Sequence, residues 1–141
     1  AFQWFLGYVA FATFSAAIRM RAQTVRMRIA AENVANANSS GTNPNEEPFR
    51  RRIPLLESTT LTTGARGVEV EGTVYDMTAF REEYNPSHPA ADERGYVRLP
   101  NVDTLVEMMD MREATRAYEA NLNMIESART MTSRALDLLR R

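Results

Sequence analysis

The chain has 141 residues, a formal net charge of −1, and hydrophobic and charged fractions of 44% and 25%, a profile that fits about one folded domain. It contains no cysteine, which excludes disulfides and thiolate-held metals. So small a net charge gives no whole-chain attraction for nucleic acid, and the basic residues are all Arg. Charge is uneven along the chain: residues 1–40 carry four Arg against one Glu, and residues 41–100 carry seven Arg against ten acids.

The first stretch, Phe2 to Phe11, is apolar and uncharged. No positive charge precedes it, so it does not fit a secretory signal. It is too polar and too short for a membrane span. It reads as a helix end buried against protein, with a membrane-surface contact as the alternative.

From Phe11 a seven-residue repeat runs through Ile18 and Val25, with Phe14, Ala22 and Ile29 between them, which predicts an amphipathic helix over roughly residues 3–38. Arg19 and Arg26 form one flanking row and Arg21 and Arg28 another. The helix should fade near Asn33, Asn36 and Asn38, whose side chains compete for backbone hydrogen bonds. Gly41 can take the left-handed conformation that ends helices. Thr42 to Pro48 reads as loop.

Phe49 to Leu56 looks extended and holds the basic triplet Arg50, Arg51 and Arg52. No aromatic platform accompanies the triplet, so acidic protein surface is the expected contact rather than nucleic acid. Val68, Val70, Gly72 and Val74 alternate with polar residues, which predicts a half-buried strand, and Gly64 and Gly67 bracket the turn before it. Tyr96–Leu99 is a further short extended piece.

His88 is the only histidine and lies in a polar loop with Asn85, Pro86, Ser87, Pro89 and Asp92. Ser87 is its sequence neighbour, which is poor geometry for a triad, and no metal-ligand spacing is present. The loop therefore reads as structural, and no cofactor, metal or small-molecule substrate is expected.

The longest helical pattern comes last. From Val102 to Arg140 there is neither Pro nor Gly. Met111, Tyr118, Ile125, Thr132 and Leu139 are seven apart, with Leu122, Ala128 and Leu136 in the neighbouring half-turns. Asn101 or Asp103 can cap its start. Glu119 and Glu126 are also seven apart, the spacing of charges beside a coiled-coil seam. A stripe this long needs an equally long partner, and the N-terminal helix is the one available. The expected fold is α+β: N- and C-terminal helices (residues 1–40 and 101–141) packed as an antiparallel coiled coil around a β-rich insert (41–100). Phe14, Ile18, Val25, Tyr118, Leu122, Ile125 and Leu136 should lie at or near the seam. Phe2, Trp4 and Phe5 exceed what one returning helix covers, and should meet a neighbouring subunit.

Several blocks carry a family likeness. Glu32–Ser39 (ENVANANS) resembles the "NNIANANT" segment of bacterial flagellar rod and hook proteins. Pro48–Arg52 (PFRRR) resembles the "PYRRK" that follows it in proximal-rod members. Tyr84–Asp92 (YNPSHPAAD) resembles "YDPGHPDAD", and Gly95–Val102 (GYVRLPNV) resembles "GYVxxPNV". Glu107–Met111 and Arg116–Asn121 are similar to "EMVDM" and "RAYEAN". The motif positions are thus Asn33, Asn36, Asn38, Pro86, His88, Pro89, Asp92, Tyr118 and Asn121. Glu32, Asn85 and Ser87 depart from the pattern. The resemblance implies a structural, non-enzymatic subunit of the flagellar basal body. Such a subunit is exported without a cleaved signal and assembles within the periplasm into a hollow rod that transmits torque. Its partners would be copies of itself, other rod proteins and, at the rod base, membrane-ring and export-gate proteins. The runner-up from the residues is a peripheral membrane adaptor using the apolar N-terminal segment.

Overall fold

A computed structural model of the chain describes residues 1–60 and 66–140. Helix α1 covers Phe2–Ala35, strands β1 and β2 cover Arg52–Thr60 and Arg66–Tyr75, β3 and β4 cover Arg81–Tyr84 and Tyr96–Leu99, and α2 covers Thr104–Leu139. The class is α+β: two long helices with two small antiparallel sheets between them in sequence.

Asp103 starts α2 by accepting the Leu105 N–H at 3.0 Å, the expected N-cap chemistry. Asn101, the other candidate cap, is used elsewhere. At ~1.5 Å per residue α2 runs roughly 54 Å. It lies along α1 in the opposite sense. Val9 and Thr13 share a shallow groove with Thr132 and Leu136. Further along, the Thr115 hydroxyl reaches Met27 Sδ at 3.3 Å. At the far end Ile29 and Asn33 line a cleft with Glu107 and Asp110.

The contact is narrower and built of smaller residues than the repeat suggested. Ala16, Ala22, Ile29 and Ala30 are buried on α1, and Ala114 on α2. Alanine lets two helix backbones approach closely, while Ile29 adds roughly 1.5–3 kcal/mol of burial. Ile18, Val25, Tyr118 and Ile125 are half-buried. Phe14, Leu122 and Leu136 stay exposed at 55%, 37% and 47%. On α2 the less exposed row runs through Asn121, Ala128 and Ala135, so the stripe falls one residue earlier than Leu122 and Leu136 implied. The charged rows do not bridge the helices: among the described residues no ion pair joins α1 to α2.

Strands β1 and β2 form a long hairpin that packs on α1. A register shift between Leu55 and Leu56 leaves Glu71 without a partner in the pairing. Such a bulge turns a strand and breaks its alternation. Val74 is 44% exposed rather than half-buried. The side chains of Val68 and Val70, and the turn holding Gly64, lie outside the described residues, while Gly67 belongs to β2 and pairs with Thr59. Strand β3 was not foreseen: all four of its residues are exposed, so it carries no apolar alternation to read.

Two glycines have roles that differ from expectation. Gly41 does not take a positive φ, and α1 ends instead at Asn36 with φ −103°. A Cβ at Gly41 would meet the Glu46 carbonyl at 2.7 Å, so close approach demands the glycine. Gly95 is the left-handed residue, at φ 84°, and brings the chain against Tyr84 and Pro86.

Candidate functional site

The densest polar structure is a joint between the insert and the helical core, built on Arg51 and Arg52. The Arg51 N–H donates to Asn101 Oδ1 at 2.8 Å, and its carbonyl accepts from the Asp76 N–H at 2.8 Å. The Arg52 N–H donates to Asn33 Oδ1 at 3.0 Å, and its carbonyl accepts from Asn33 Nδ2 at 2.9 Å. Asn33 thus extends the hydrogen bonding of α1 into β1 as another strand would. Asn101 Nδ2 also donates to the Asp76 carbonyl at 2.9 Å.

The guanidinium of Arg51 closes the joint. Its Nε donates to Glu107, and its two terminal nitrogens lie 3.3 Å from Asp76 and 3.7 Å from Asp110. Glu107 is 2% exposed and sits in the first turn of α2, where the helix dipole also favours an acid. Burial on its own would lower the Arg51 pKa, but the hydrogen bonds and charges of Glu107 and Asp76 outweigh it and raise the pKa. Asp76 is held below the usual carboxylate range, first by the Thr78 N–H and hydroxyl and then by Arg51. Removing one partner of a buried pair strands the other charge, which is why such nodes resist opening.

Arg51 is therefore engaged within its own chain rather than offered to a neighbour. Arg50 is turned inward too, donating to the carbonyls of Asp76 and Thr78 at 3.1 and 3.2 Å and lying 4.2 Å above the Phe80 ring. Arg52 is more open than Arg51, at 41% against 22% side-chain exposure, and pairs with Glu32 at 3.8 Å. Sequence spacing could not reveal this joint, because Arg51 and Glu107 are 56 residues apart. The available signal was a pair of polar residues, Asn33 and Glu107, on helix faces that otherwise hold small and apolar side chains.

The histidine loop is a second tie. His88 Nδ1 accepts the Ala90 N–H at 3.0 Å, and Nε2 lies 3.1 Å from Ser40 Oγ. An accepting Nδ1 leaves the proton of the neutral ring on Nε2, which then donates to Ser40. This tautomer offers Ser40 a donor and not a base, and Nδ1 has no orienting carboxylate, so the pair lacks the arrangement of a nucleophilic dyad. Asp92 accepts from the N–H groups of Arg94 and Tyr96, both at 2.9 Å. These bonds hold its pKa below the usual range, the Tyr96 bond foremost. Pro86 packs beneath Gly95, and Pro89 is exposed. Arg81 ties β3 to the core by donating to the carbonyls of Pro100 and Ala37 at 3.0 and 2.9 Å. The remaining motif residues act locally or stay open: Asn36 and Asn121 bond within their helices to the carbonyls of Glu32 and Ala117, and Asn38 is exposed.

The helix ends form the opposite kind of surface. Trp4 is 85% exposed and Tyr8 72%, and Phe2 is exposed beside a half-buried Phe5. Met131, Leu138 and Leu139 are exposed at the end of α2. Leu6, Val9, Ala10, Phe14 and Ala17 line an open apolar trough beside Thr132. Among the described residues no helix is long and apolar enough to cross a membrane. No cluster there could hold a metal ion.

Comparison with known proteins gives one consistent answer. The family "Flagellar basal body rod FlgEFG protein C-terminal" matches residues 93–138. The flagellar basal-body rod protein FlgC of Agrobacterium fabrum is 42% identical over 122 residues, covering 86% of this chain and 88% of that protein. FlgC of Aquifex aeolicus is 37% identical over 119 residues, covering 84% and 87%. FlgC of Escherichia coli O6:H1 is 33% identical over 120 residues, covering 84% and 89%. With likeness at this level over most of both chains, the chain belongs to the FlgC family of flagellar basal-body rod proteins.

Proposed function

We propose that this chain is a structural subunit of the proximal part of the flagellar rod, one of many that assemble into a hollow shaft. The shaft transmits torque and encloses the channel through which later subunits pass. One observation carries the reading: a chain of this family has its insert tied fully to its helical core while the helix ends keep large apolar side chains in water. Fully burying one such side chain is worth roughly 1.5–3 kcal/mol, so several of them favour assembly. Phe2, Trp4 and Phe5 pack against neighbouring subunits, copies of this chain or other rod proteins. The helices, residues 1–40 and 101–141, supercoil there as an antiparallel coiled coil. The insert, residues 41–100, faces outward, with Arg52 the member of the basic triplet best placed to meet a neighbour's acidic surface. Assembly takes place in the periplasm after export without a cleaved signal. At the rod base the neighbours include ring and export-gate proteins.

Mechanics supply the reason for the joint. A shaft made of loosely linked parts would dissipate torque in hinge motion. Fixing each polar atom of the Arg51–Arg52 backbone holds the hairpin at one angle to the helices. The test is complementation of a flagellated host lacking its own protein of this family. Motility and recovery of the chain in purified basal bodies are expected. A chain that accumulates but never enters basal bodies would overturn the reading.

A further inference from the structure

His88 is held by bonds that only a neutral ring can make. Its Nδ1 accepts the N–H of Ala90 at 3.0 Å, and its Nε2 lies 3.1 Å from Ser40 Oγ. Ala90 is buried, and His88 itself is half-buried. The backbone around the ring is pinned: the His88 N–H donates to the Asn85 carbonyl at 3.1 Å, and the His88 carbonyl accepts from Ala91 at 3.0 Å. Pro89 fixes the φ that follows. A second proton turns Nδ1 into a donor, and two N–H groups would then face one another across 3.0 Å. Turning the ring over does not relieve this, because both nitrogens of an imidazolium donate. No counter-charge offsets it: among the described residues His88 enters no ion pair. In its own loop, Asp92 is taken by the N–H groups of Arg94 and Tyr96, and the Arg94 guanidinium by Asp92 and by Glu82 of β3. In the segment that carries Ser40, Glu46 is taken by the Thr42 N–H and hydroxyl. On β3 and β4, Arg81 and Arg98 donate to backbone carbonyls. Glu47, Glu83 and Glu93 are exposed.

We propose that His88 is a proton-operated latch: on gaining a proton the ring leaves Ala90 and Ser40, and the loop of residues 85–92 comes free of the segment that follows α1. The closed form binds one proton fewer than the open form, so acidification favours opening. Histidine is the side chain whose ordinary charge change falls between about pH 5 and 8, and His88 is the only one in the chain. Asp92 and Glu46 are both held below the usual carboxylate range, Asp92 foremost by the Tyr96 N–H and Glu46 foremost by the Thr42 hydroxyl, so they stay charged through that window. The other ties to the end of α1, from Arg81 to the Ala37 carbonyl and from Arg98 to those of Pro44 and Glu46, rest on guanidinium groups that keep their charge. The latch therefore loosens one loop and leaves the joint at Arg51 closed. It works within a single chain and needs no partner.

The test is hydrogen exchange of the full chain at about pH 7.5 and about pH 5.5, corrected for the intrinsic rates. An unconstrained imidazole goes from ~10% to ~90% charged over that interval. Protection of the Ala90 amide should therefore fall roughly tenfold, while the amides of Arg51 and Arg52 keep theirs. His88→Asn is the control. Its side-chain oxygen would accept from the N–H two residues on, as Asp76, Asp92 and Asn43 do from Thr78, Arg94 and Asn45, and it has no proton to gain. In that variant Ala90 should stay protected at both pH values. Equal protection of Ala90 at both pH values in the unaltered chain, or the same acid loss in His88→Asn, would overturn the proposal. Nitrogen NMR of the labelled ring in the unaltered chain keeps the test decisive should His88→Asn fail to fold. Near neutral pH the proton should sit on Nε2 with Nδ1 bare, and a ring carrying its proton on Nδ1 would overturn the latch.

Discussion

The joint around Arg51 and the outer ends of the two helices are built on opposite rules. At the joint, polar groups from α1, β1, the β2–β3 connection and the start of α2 converge. Among the described residues no buried side-chain nitrogen or oxygen lacks a partner. At the helix ends, Trp4, Tyr8 and Leu138 are 85%, 72% and 73% exposed among the described residues. The joint is complete within one molecule, whereas the ends are not. A rod subunit needs both: an internal geometry fixed before assembly, and surfaces that become satisfied only in the assembly.

The comparison predicts a graded set of outcomes for the isolated chain. The largest belongs to Glu107→Ala, which leaves Arg51 facing a cavity with its closest counter-charge gone. Breaking a buried pair costs about 3–5 kcal/mol, and the partial exposure of Arg51 places this one near the lower bound. Urea unfolding should register about 3 kcal/mol of lost stability, and a loss within experimental error would deny the joint its structural weight. Asn33→Ala comes next. It removes both hydrogen bonds to Arg52 and strands a backbone N–H, for about 1–3 kcal/mol, and it should loosen the hairpin without melting α2.

The acid limb gives a smaller effect. Asp76 is depressed below its ordinary value of 3.8, so its stabilising contribution is present above that value and is lost as pH falls through the lower folded one. Asp92 works in the same direction. Thermal midpoints should therefore fall as pH drops below about 4, and Asp76→Asn should flatten that fall. An unchanged slope would mean that Asp76 is not coupled to the fold. The smallest effect on stability is expected at the other region. Deleting residues 2–9 should shift unfolding of the isolated chain less than either joint variant, since only Phe5 and Val9 in that stretch are even half-buried, while abolishing entry into basal bodies. Substantial destabilisation would show that the N-terminal end is already packed in the single chain.

How much of this could be read beforehand follows from the range of each interaction. The helices declare themselves through a repeat that needs only local spacing, and the Asp103 cap, two residues before Leu105, is equally local. The open ends were legible because apolar residues there occupy more sides than one partner helix covers. The joint was not legible. Its members are 19 to 56 residues apart, and an Arg in a basic triplet carries no mark of which one turns inward. Strand β3 escaped because its residues are all exposed and its pairing depends on β4. Gly41 was assigned the wrong role because sequence does not separate a glycine needed for φ from one needed for space, here beneath the Glu46 carbonyl.

Hydrogen exchange of the full chain, free and in assembled rods, tests the contrast most directly. In the free chain the account predicts slow exchange for the amides of Arg51, Arg52 and Asp76, which are bonded to Asn101, Asn33 and the Arg51 carbonyl. It predicts fast exchange across residues 2–14 and 131–139, and strong protection of those two segments once assembled. Equal protection of the helix ends and the joint in the free chain would contradict it.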